Sequence, residues 1–352
     1  MERRDFIKNS LCLGCVGFFA SGCKNILVND DLKNDKFYYK SKEDLPKRIR
    51  IEACSLCQLN CPACTVRKLE KQMPKDWLGY LKFNDFKNFI DNYNFKEIEL
   101  SNNGEIFLNP ELDEIIKYAY EKKISLVAEN GVNLNTVSDT TLENLVKYKF
   151  KYMKVSIDGA TPETYKIYRV GGDFNKVINN IKKINYFKKK YISKYPRLIW
   201  QFILFGHNEH EIELAKQRAK ELEMEIEFKR NMSNSYSPIR NKDLVEKQTG
   251  LKLFKDKSDM FKNLFSDKFN ACYTLFYNPQ IDYNGILLGC CRTKIKDFKV
   301  NAFKVGLLDA LNSPGVIYAK HMLTDFSFDI KDDIPCASCY DYKFSKKKTQ
   351  NY

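Results

Sequence analysis

Three absences limit the function classes open to this sequence. Beyond the first 23 residues, no uninterrupted apolar run approaches the roughly 20 residues that a membrane-spanning helix needs. The formal net charge is +14, yet the basic runs at 188–190 and 346–348 are short and the rest of the excess is spread along the chain. Without clustered basic and aromatic faces a nucleic-acid binder is disfavoured, and a generally solvated basic surface is expected.

Cysteine is absent from the whole middle of the chain. The twelve cysteines lie in three groups, at residues 12–23, 54–64 and 272–339. Disulfide frameworks belong to small oxidised domains that lack a core, whereas 352 residues of which 43% are hydrophobic can bury a large one. We therefore interpret the clustered thiols as reduced groups that bind metal.

The densest group follows a short β-rich run at residues 48–53. Its thiols Cys57, Cys61 and Cys64 are separated by three and then two residues. Three thiolates on one tight loop can hold three irons of a [4Fe–4S] cubane and leave the fourth iron open. Because an open metal position can coordinate a substrate or cofactor, the spacing predicts a catalytic cluster on these three thiols.

Two other interpretations of this loop remain. Cys54 and Cys57 form a Cys-x2-Cys pair, as do Cys61 and Cys64, but only three residues separate the pairs, whereas paired zinc knuckles need about 12 to 20. The thiols could also be buried and inert. The pair His207 and His210 is predicted to be surface-exposed, since no carboxylate or thiol pattern accompanies it.

The first 23 residues are typical of a targeting signal. Arg3-Arg4-Asp5-Phe6-Ile7-Lys8 precedes the apolar segment 11–20, as in twin-arginine signals. Ala20-Ser21-Gly22-Cys23 resembles a lipoprotein processing box with Cys23 as the lipidated residue. We expect export and membrane association through this signal, followed by a polar linker at 24–47. The alternative is a cytoplasmic protein with an uncleaved amphipathic helix.

From residue 48 onward, β-rich runs alternate with amphipathic helical patterns. Strands are predicted at 48–53, 97–101, 124–129, 153–158, 198–205 and 225–229. Helices are predicted at 83–92, 110–122, 140–148, 174–190 and 209–222. Six such units imply a parallel sheet with right-handed crossovers but cannot close an eight-stranded barrel. The predicted fold class is therefore α/β, an open partial (β/α)6 TIM-like barrel with its active site at the carboxyl ends of the strands.

Polar clusters with glycines follow these strands. Residues 101–105 follow the second strand, 129–131 follow the third, and 156–159 end the fourth. Any one of them could be an ordinary βα turn, but glycine lets backbone approach a ligand closely and all three share one edge of the sheet. They are expected to line one site beside the cysteine loop, with Gln201 on the fifth strand as a further candidate.

A second thiol group lies near the C-terminus, after a polar junction at 231–270. Residues 280–288 predict a β-hairpin with an Asn284-Gly285 turn, which would bring Cys272 and Cys290 together. Cys336 and Cys339 would complete four thiolates, which saturate a [4Fe–4S] cluster and suit electron transfer. A tetrahedral zinc site on the same thiols is the alternative.

Roughly residues 48–340 resemble the radical S-adenosylmethionine (SAM) enzymes. The resemblance rests on the three-cysteine spacing, on Asn103-Gly104-Glu105, and on the segment from Ser156-Ile157-Asp158-Gly159-Ala160-Thr161-Pro162 to Arg169. It implies that the cluster on Cys57, Cys61 and Cys64 cleaves SAM and that a 5′-deoxyadenosyl radical abstracts hydrogen from a substrate. It also implies that Asn103, Gly104 and Glu105 contact the SAM amino group, and that Ser156 and Arg169 contact its ribose and carboxylate.

The pattern from Cys272 through Gly285 to Cys290 resembles the SPASM/twitch auxiliary-cluster domains. It implies a radical SAM core at 48–230 and an auxiliary domain at 271–345 with one further cluster on Cys272, Cys290, Cys336 and Cys339. The resemblance implies an external low-potential electron donor and a small-molecule or peptide substrate. A non-catalytic, exported iron–sulfur electron carrier is the alternative; it accounts for the signal but not for the SAM-contact residues.

Overall fold

A computed structural model describes residues 32–64, 78–231, 235–254, 259, 272–290, 297–340, 342–343 and 346. Seven strands form one sheet: β1 Arg48–Ile51, β2 Glu97–Glu99, β3 Ser125–Val132, β4 Tyr152–Ser156, β5 Arg197–Leu204, β6 Glu225–Arg230 and β7 Gln280–Ile281. Their order is β6-β5-β4-β3-β2-β1-β7, and every neighbouring pair is parallel. The predicted α/β class is confirmed, and the C-terminal segment adds a seventh strand beyond the six expected.

Helices follow the strands as the crossover topology requires. Those described are α1 Phe83–Ile90, α2 Leu112–Glu121, α3 Asp139–Lys147, α4 Pro162–Tyr168, α5 Phe174–Lys190, α6 Ile212–Glu221, α7 Lys242–Thr249, α8 Tyr273–Tyr277, α9 Ala302–Val305, α10 Leu307–Leu311 and α11 Pro314–Thr324. Side-chain caps set several starts: Ser138 Oγ accepts from Thr141 N at 3.0 Å, and Asp173 Oδ1 accepts from Lys176 N at 3.1 Å. No helix in the described ranges is long and apolar enough to cross a membrane.

The two faces of the sheet differ in polarity. On one face Ile49, Ile98, Met153 and Trp200 are fully buried in a core shared with the helices. The opposite face, which we call the polar face, carries charged side chains that pair across strands. These pairs include Arg48–Glu97 at 2.7 Å, Arg48–Glu129 at 2.7 Å and Lys154–Glu227 at 2.6 Å. Alternation of side chains along each strand produces this separation, and it gives one face of the sheet a charged surface.

The third strand differs from its predicted limits. The prediction ended it at residue 129 and placed 129–131 in the loop that follows, whereas β3 continues to Val132. The pairing with β4 shifts register between Ala128 and Val132, and Gly131 has φ +111°. Glycine at this irregularity lets the strand continue, so Asn130 and Gly131 belong to the wall of the site and not to a loop above it.

The N-terminal part of the described chain packs against its C-terminal segment. Within the predicted linker, Tyr39 N donates to Asn312 Oδ1 at 2.8 Å, and Asp35 Oδ2 lies 2.5 Å from His321 Nε2 on α11. Residues 32–41 therefore contact the C-terminal helices instead of acting as a free linker. The predicted signal at 1–23 and Cys291 lie outside the described residues.

The predicted C-terminal hairpin forms. Ile281 and Leu287 make an antiparallel bridge, and Asp282 N donates to Ile286 O at 3.0 Å around the turn. Its first strand, β7, pairs in parallel with β1, where Arg50 lies opposite Gln280. The thiol-rich C-terminal segment is thus attached to the strand that leads into the first cysteine loop.

Candidate functional site

A cavity of about 200 Å³ opens at the carboxyl ends of the central strands. Its lining includes every residue predicted for the first cluster and for SAM, namely Cys57, Cys61, Cys64, Asn103, Gly104, Glu105, Ser156 and Arg169. It also includes Asn130, Gly131, Asn133, Tyr168, Gln201 and Ile203. Residues separated by more than 100 positions in the sequence are therefore brought to one edge of the sheet, which is where ligands bind in parallel α/β folds.

The cysteine loop is held by backbone contacts from two other loops. Gly104 N donates to Cys54 O at 3.1 Å, and Asn60 N donates to Val170 O at 2.9 Å. A Cβ atom on Gly104 would lie only 2.2 Å from Leu56 O. The absence of a side chain at Gly104 is thus what allows the loop after β2 to lie directly against the cysteine loop.

Cys57, Cys61 and Cys64 suit an iron–sulfur ligand set. Burial raises the pKa of Cys57 to about 11, and neighbouring Glu105, Cys61 and Cys64 raise it further. Burial likewise raises the pKa of the Cys61 thiol, with Arg169 opposing the shift. Three thiols packed this closely in an apolar pocket need a cationic partner to ionise, and metal binding supplies one. The donor set therefore fits the [4Fe–4S] cluster predicted for it.

The fourth cysteine of this region is placed differently. Cys54 is 1% exposed, and its Sγ donates to Leu56 O at 3.7 Å. Burial raises the pKa of Cys54 to about 12. Among the described residues, no group of three or more His, Cys, Asp or Glu side chains converges on a single metal ion.

The two histidines of the sequence prediction differ in exposure. His210 is exposed as predicted. His207 is half-buried against Phe205, with ring centroids 5.1 Å apart, so the prediction of surface exposure is wrong for His207.

Glu105 is a buried carboxylate held by backbone amides. It accepts from Asn133 N at 2.5 Å and from Phe107 N at 3.3 Å, and it is 1% exposed. Burial raises the pKa of Glu105 to about 7, although those two amide bonds favour the charged form. A buried carboxylate held by neutral amides, lining an open cavity, is prepared for a cationic ligand such as an ammonium group.

Arg169 is positioned by Asp158, which was not among the predicted SAM-contact residues. Asp158 Oδ2 accepts from Arg169 Nε at 2.6 Å and from Nη2 at 2.5 Å, while Asp158 Oδ1 accepts from Ile203 N at 2.6 Å. Asp158 is fully buried, and this pair of bonds fixes the plane of the guanidinium. The remaining nitrogen, Nη1, lies 3.7 Å from Cys61 Sγ. In the sequence, Asp158 lies in the polar cluster 156–159 that was expected to line the site, but no pattern there indicated its pairing with Arg169.

Ser156 belongs to a polar chain along the cavity wall. Gln201 Nε2 donates to Ser156 Oγ at 3.2 Å, and Lys229 Nζ donates to Gln201 Oε1. A Cβ on Gly131 would lie 2.2 Å from Ser156 Oγ, so glycine is needed there for the hydroxyl to occupy its position. Gln201 was a candidate from the sequence. Lys229 was not, because only the pairing of β6 with β5 brings its side chain next to Gln201.

The second thiol group is also brought together. Burial raises the pKa of Cys336 well above its usual value, and the nearby thiols of Cys290, Cys272 and Cys339 add to the shift. Cys336 and Cys339 lie on one tight turn, where Cys339 N donates to Cys336 O at 3.0 Å. Cys272, Cys290 and Cys339 therefore all lie near Cys336, although the four thiols span 68 positions from residue 272 to residue 339.

Comparison with known proteins agrees with this geometry. Residues 51–217 match the family model "Radical SAM superfamily". No curated protein matches significantly. Streptococcus suis SuiB bound to S-adenosylmethionine shares the fold with a TM-score of 0.60 at 16% identity, over 86% of this chain and 72% of that one.

Two further structures are similar. SuiB bound to its precursor peptide SuiA has a TM-score of 0.58 at 16% identity, over 95% of this chain and 79% of that one. Hexahistidine-tagged anSMEcpe with bound AdoMet has a TM-score of 0.50 at 14% identity, over 85% and 87%. Identities this low show a shared fold. The family match covers residues 51–217, which include every residue that lines the three-thiol cavity.

Proposed function

We propose that this chain is a radical SAM enzyme that abstracts hydrogen from a polar substrate. The observation that carries the proposal is one cavity containing three cysteine thiols, a buried carboxylate held by amides and an oriented guanidinium. In this proposal Cys57, Cys61 and Cys64 hold a [4Fe–4S] cluster. When bound, the cluster supplies the electron for reductive cleavage of SAM.

Each residue predicted to contact SAM has a chemical role in the proposal. Glu105 receives the ammonium group of SAM, which offsets the burial of its carboxylate. Arg169, with its plane set by Asp158, presents Nη1 to the SAM carboxylate beside the cluster. Ser156 offers a hydroxyl to the ribose. The backbone of Asn103 and Gly104 closes the wall around these groups, which orients SAM and excludes water from the reacting bond.

The test is anaerobic reconstitution with iron and sulfide, followed by dithionite and SAM. The wild-type chain is expected to form 5′-deoxyadenosine, while the Cys57→Ala, Cys61→Ala, Cys64→Ala triple variant forms none. Cys54→Ala is the matched control, since its thiol bonds to a backbone carbonyl and not to the cavity. A wild-type chain that binds iron but yields no 5′-deoxyadenosine would support the alternative, a non-catalytic iron–sulfur electron carrier.

A second cluster on Cys272, Cys290, Cys336 and Cys339 belongs to the proposal, as part of a SPASM/twitch-like domain. The other three thiols lie near Cys336, and four thiolates would saturate a [4Fe–4S] cluster, which would pass electrons to or from a substrate radical. Iron and sulfide analysis of the triple variant tests this directly. About four irons per chain are expected to remain in the triple variant. Retained zinc without sulfide would indicate a zinc site in place of the cluster, and the absence of any metal would contradict a second metal site.

The substrate is proposed to be a small molecule or a peptide. SuiB has been crystallised with its precursor peptide, which favours testing peptides among the candidates. Deuterium transfer from labelled candidates into 5′-deoxyadenosine would identify the substrate, since the abstracted hydrogen is retained in that product. An external low-potential donor is proposed as the physiological reductant.

Export by the twin-arginine lipoprotein-type signal at residues 1–23 also stays a proposal. The chemistry argues against it, because SAM and low-potential donors are supplied in the cytoplasm. Mass spectrometry of the protein from cell fractions decides between the two. Membrane-associated chains beginning at a lipidated Cys23 are expected if the signal functions, and soluble chains with the intact N-terminus would remove the export proposal.

A further inference from the structure

Lys229 is placed at the mouth of the cavity by strand register. In β5 and β6, Gln201 lies opposite Glu227 and Ile203 lies opposite Lys229. Gln201 and Ile203 both line the cavity, and Lys229 Nζ donates to Gln201 Oε1. The Lys229 side chain is 34% exposed, so the ammonium can be reached from solvent. It therefore stands next to the proposed SAM site but beyond Ser156.

The charges around Lys229 do not balance. The charged groups that influence it are Lys154, Glu227, Glu129 and Asp158. Each of the three carboxylates has a closer cation. Glu227 bonds Lys154 at 2.6 Å but lies 3.8 Å from Lys229, Glu129 bonds Arg48 at 2.7 Å, and Asp158 bonds Arg169 at 2.5 Å. Lys229 thus shares Glu227 with Lys154 and bonds more closely to the neutral amide of Gln201, which leaves these two ammonium groups with one carboxylate between them.

Such a lysine is costly to the folded protein unless something compensates it. Burial lowers the pKa of Lys229, and the neighbouring Lys154 ammonium lowers it further. An anionic ligand would supply the missing carboxylate and form a charge-assisted hydrogen bond in a partly desolvated place. The Gln201 amide, already bonded to Ser156 Oγ, holds the ammonium in position for that ligand.

We propose that Lys229 binds an acidic group of the substrate, a carboxylate or a phosphate, at the outer edge of the cavity. This inference rests on the proposed function, because it assigns the space beside SAM to the substrate. It narrows the substrate class to molecules or peptides that carry an anion near the hydrogen to be abstracted. Lys229 is then a substrate-binding residue that determines specificity.

Ligand-observed ¹⁹F NMR on the reconstituted full chain tests this with defined probes. Trifluoroacetate represents the carboxylate, monofluorophosphate the phosphate, and trifluoroacetamide is the neutral control. At least one anion is expected to bind, and Lys229→Met is expected to weaken its Kd at least about tenfold, as for the loss of a charge-assisted hydrogen bond. Lys229→Arg retains the charge and should restore binding. Lys189→Met, which removes a side chain 73% exposed, should bind as wild type does.

Several outcomes would overturn the proposal. Equal anion binding by wild type and Lys229→Met would do so, as would equal binding of trifluoroacetamide. Displacement of the probe by saturating SAM would assign Lys229 to the SAM carboxylate instead. The probe that binds distinguishes a carboxylate from a phosphate.

Substrate-free 5′-deoxyadenosine formation separates this inference from the proposed function. The wild-type chain is expected to form it whether or not Lys229 binds an anion, so failure of the NMR prediction alone leaves the proposed function standing. A wild-type chain that forms none would overturn the proposed function, while the anion-binding result would still be read from the NMR.

Discussion

Replacing Glu105 by Gln is expected to stabilise the cluster-free protein near pH 8 and to abolish SAM binding. Burial raises the pKa of Glu105 from its usual 4.5 to about 7, so the folded state holds this proton more tightly than the unfolded chain does. The stabilising contribution is therefore fully present below about pH 4.5 and is lost as the pH rises through about 7. Asn133 N and Phe107 N bond different oxygens of Glu105. A glutamine, like the protonated acid, can accept from only one of them, but it carries no buried charge.

The magnitude follows from the two pKa values. The interval from 4.5 to about 7 corresponds to roughly 3 kcal/mol at 1.36 kcal/mol per pH unit. Glu105→Gln should thus exceed wild type in free energy of unfolding by up to about 3 kcal/mol at pH 8, and the difference should approach zero near pH 4.5. Glu105 thus lowers the stability of the cluster-free protein while lining a cavity, which is expected of a carboxylate that binds a ligand there.

Urea unfolding of both cluster-free chains between pH 4.5 and 8.5 measures the difference, and calorimetry with SAM measures binding to the reconstituted chains. If Glu105→Gln is less stable than wild type at pH 8, the two amide bonds outweigh burial and the reasoning is wrong. If the variant is more stable but binds SAM as tightly, Glu105 is not the ammonium ligand.

Three more predictions concern the same structure. Asp158→Asn leaves the buried Arg169 guanidinium without its carboxylate and should lower the free energy of unfolding by about 3–5 kcal/mol, measured in urea; a loss below about 1 kcal/mol would contradict the buried pair. Gly104→Ala places a Cβ 2.2 Å from a backbone oxygen and should prevent iron loading after reconstitution, whereas Gly315→Ala, whose Cβ would meet its nearest atom at an ordinary 3.5 Å, should load normally. Burial lowers the pKa of Lys320 from 10.5 to about 8, so the buried ammonium destabilises the folded protein fully below about pH 8 and not at all above 10.5. Lys320→Met should therefore be up to about 3 kcal/mol more stable than wild type at pH 7, and no more stable at pH 11, in thermal or urea unfolding.

Much of the architecture was predictable because it depends on neighbouring residues. Helical periodicity located α5 at the predicted residues 174–190, and alternating β-rich runs located β1 to β6 to within a few positions. Loop spacing alone predicted the three-thiol site, since ligands only three and two residues apart must share one loop. The Asn284-Gly285 turn was similarly local.

The relations between distant residues were not predictable in this way. No periodicity indicates that Asp158 lies against Arg169, that the amide of Asn133 binds Glu105, or that Lys229 stands beyond Gln201. Each depends on which strand lies next to which, and on the irregular register near Gly131 that extends β3 into the cavity wall. Single-residue shifts in strand register turn side chains to the opposite face, so such contacts exist only once the sheet is assembled.

By itself, the sequence determined which residues are candidates for the chemistry, because thiol spacing and turn motifs are properties of short segments. Only the tertiary structure decided their electrostatics. Whether a carboxylate faces a guanidinium, a backbone amide or an open cavity depends on packing between segments far apart in the chain. That is why Glu105 and Asp158, both buried carboxylates, are expected to perform different tasks.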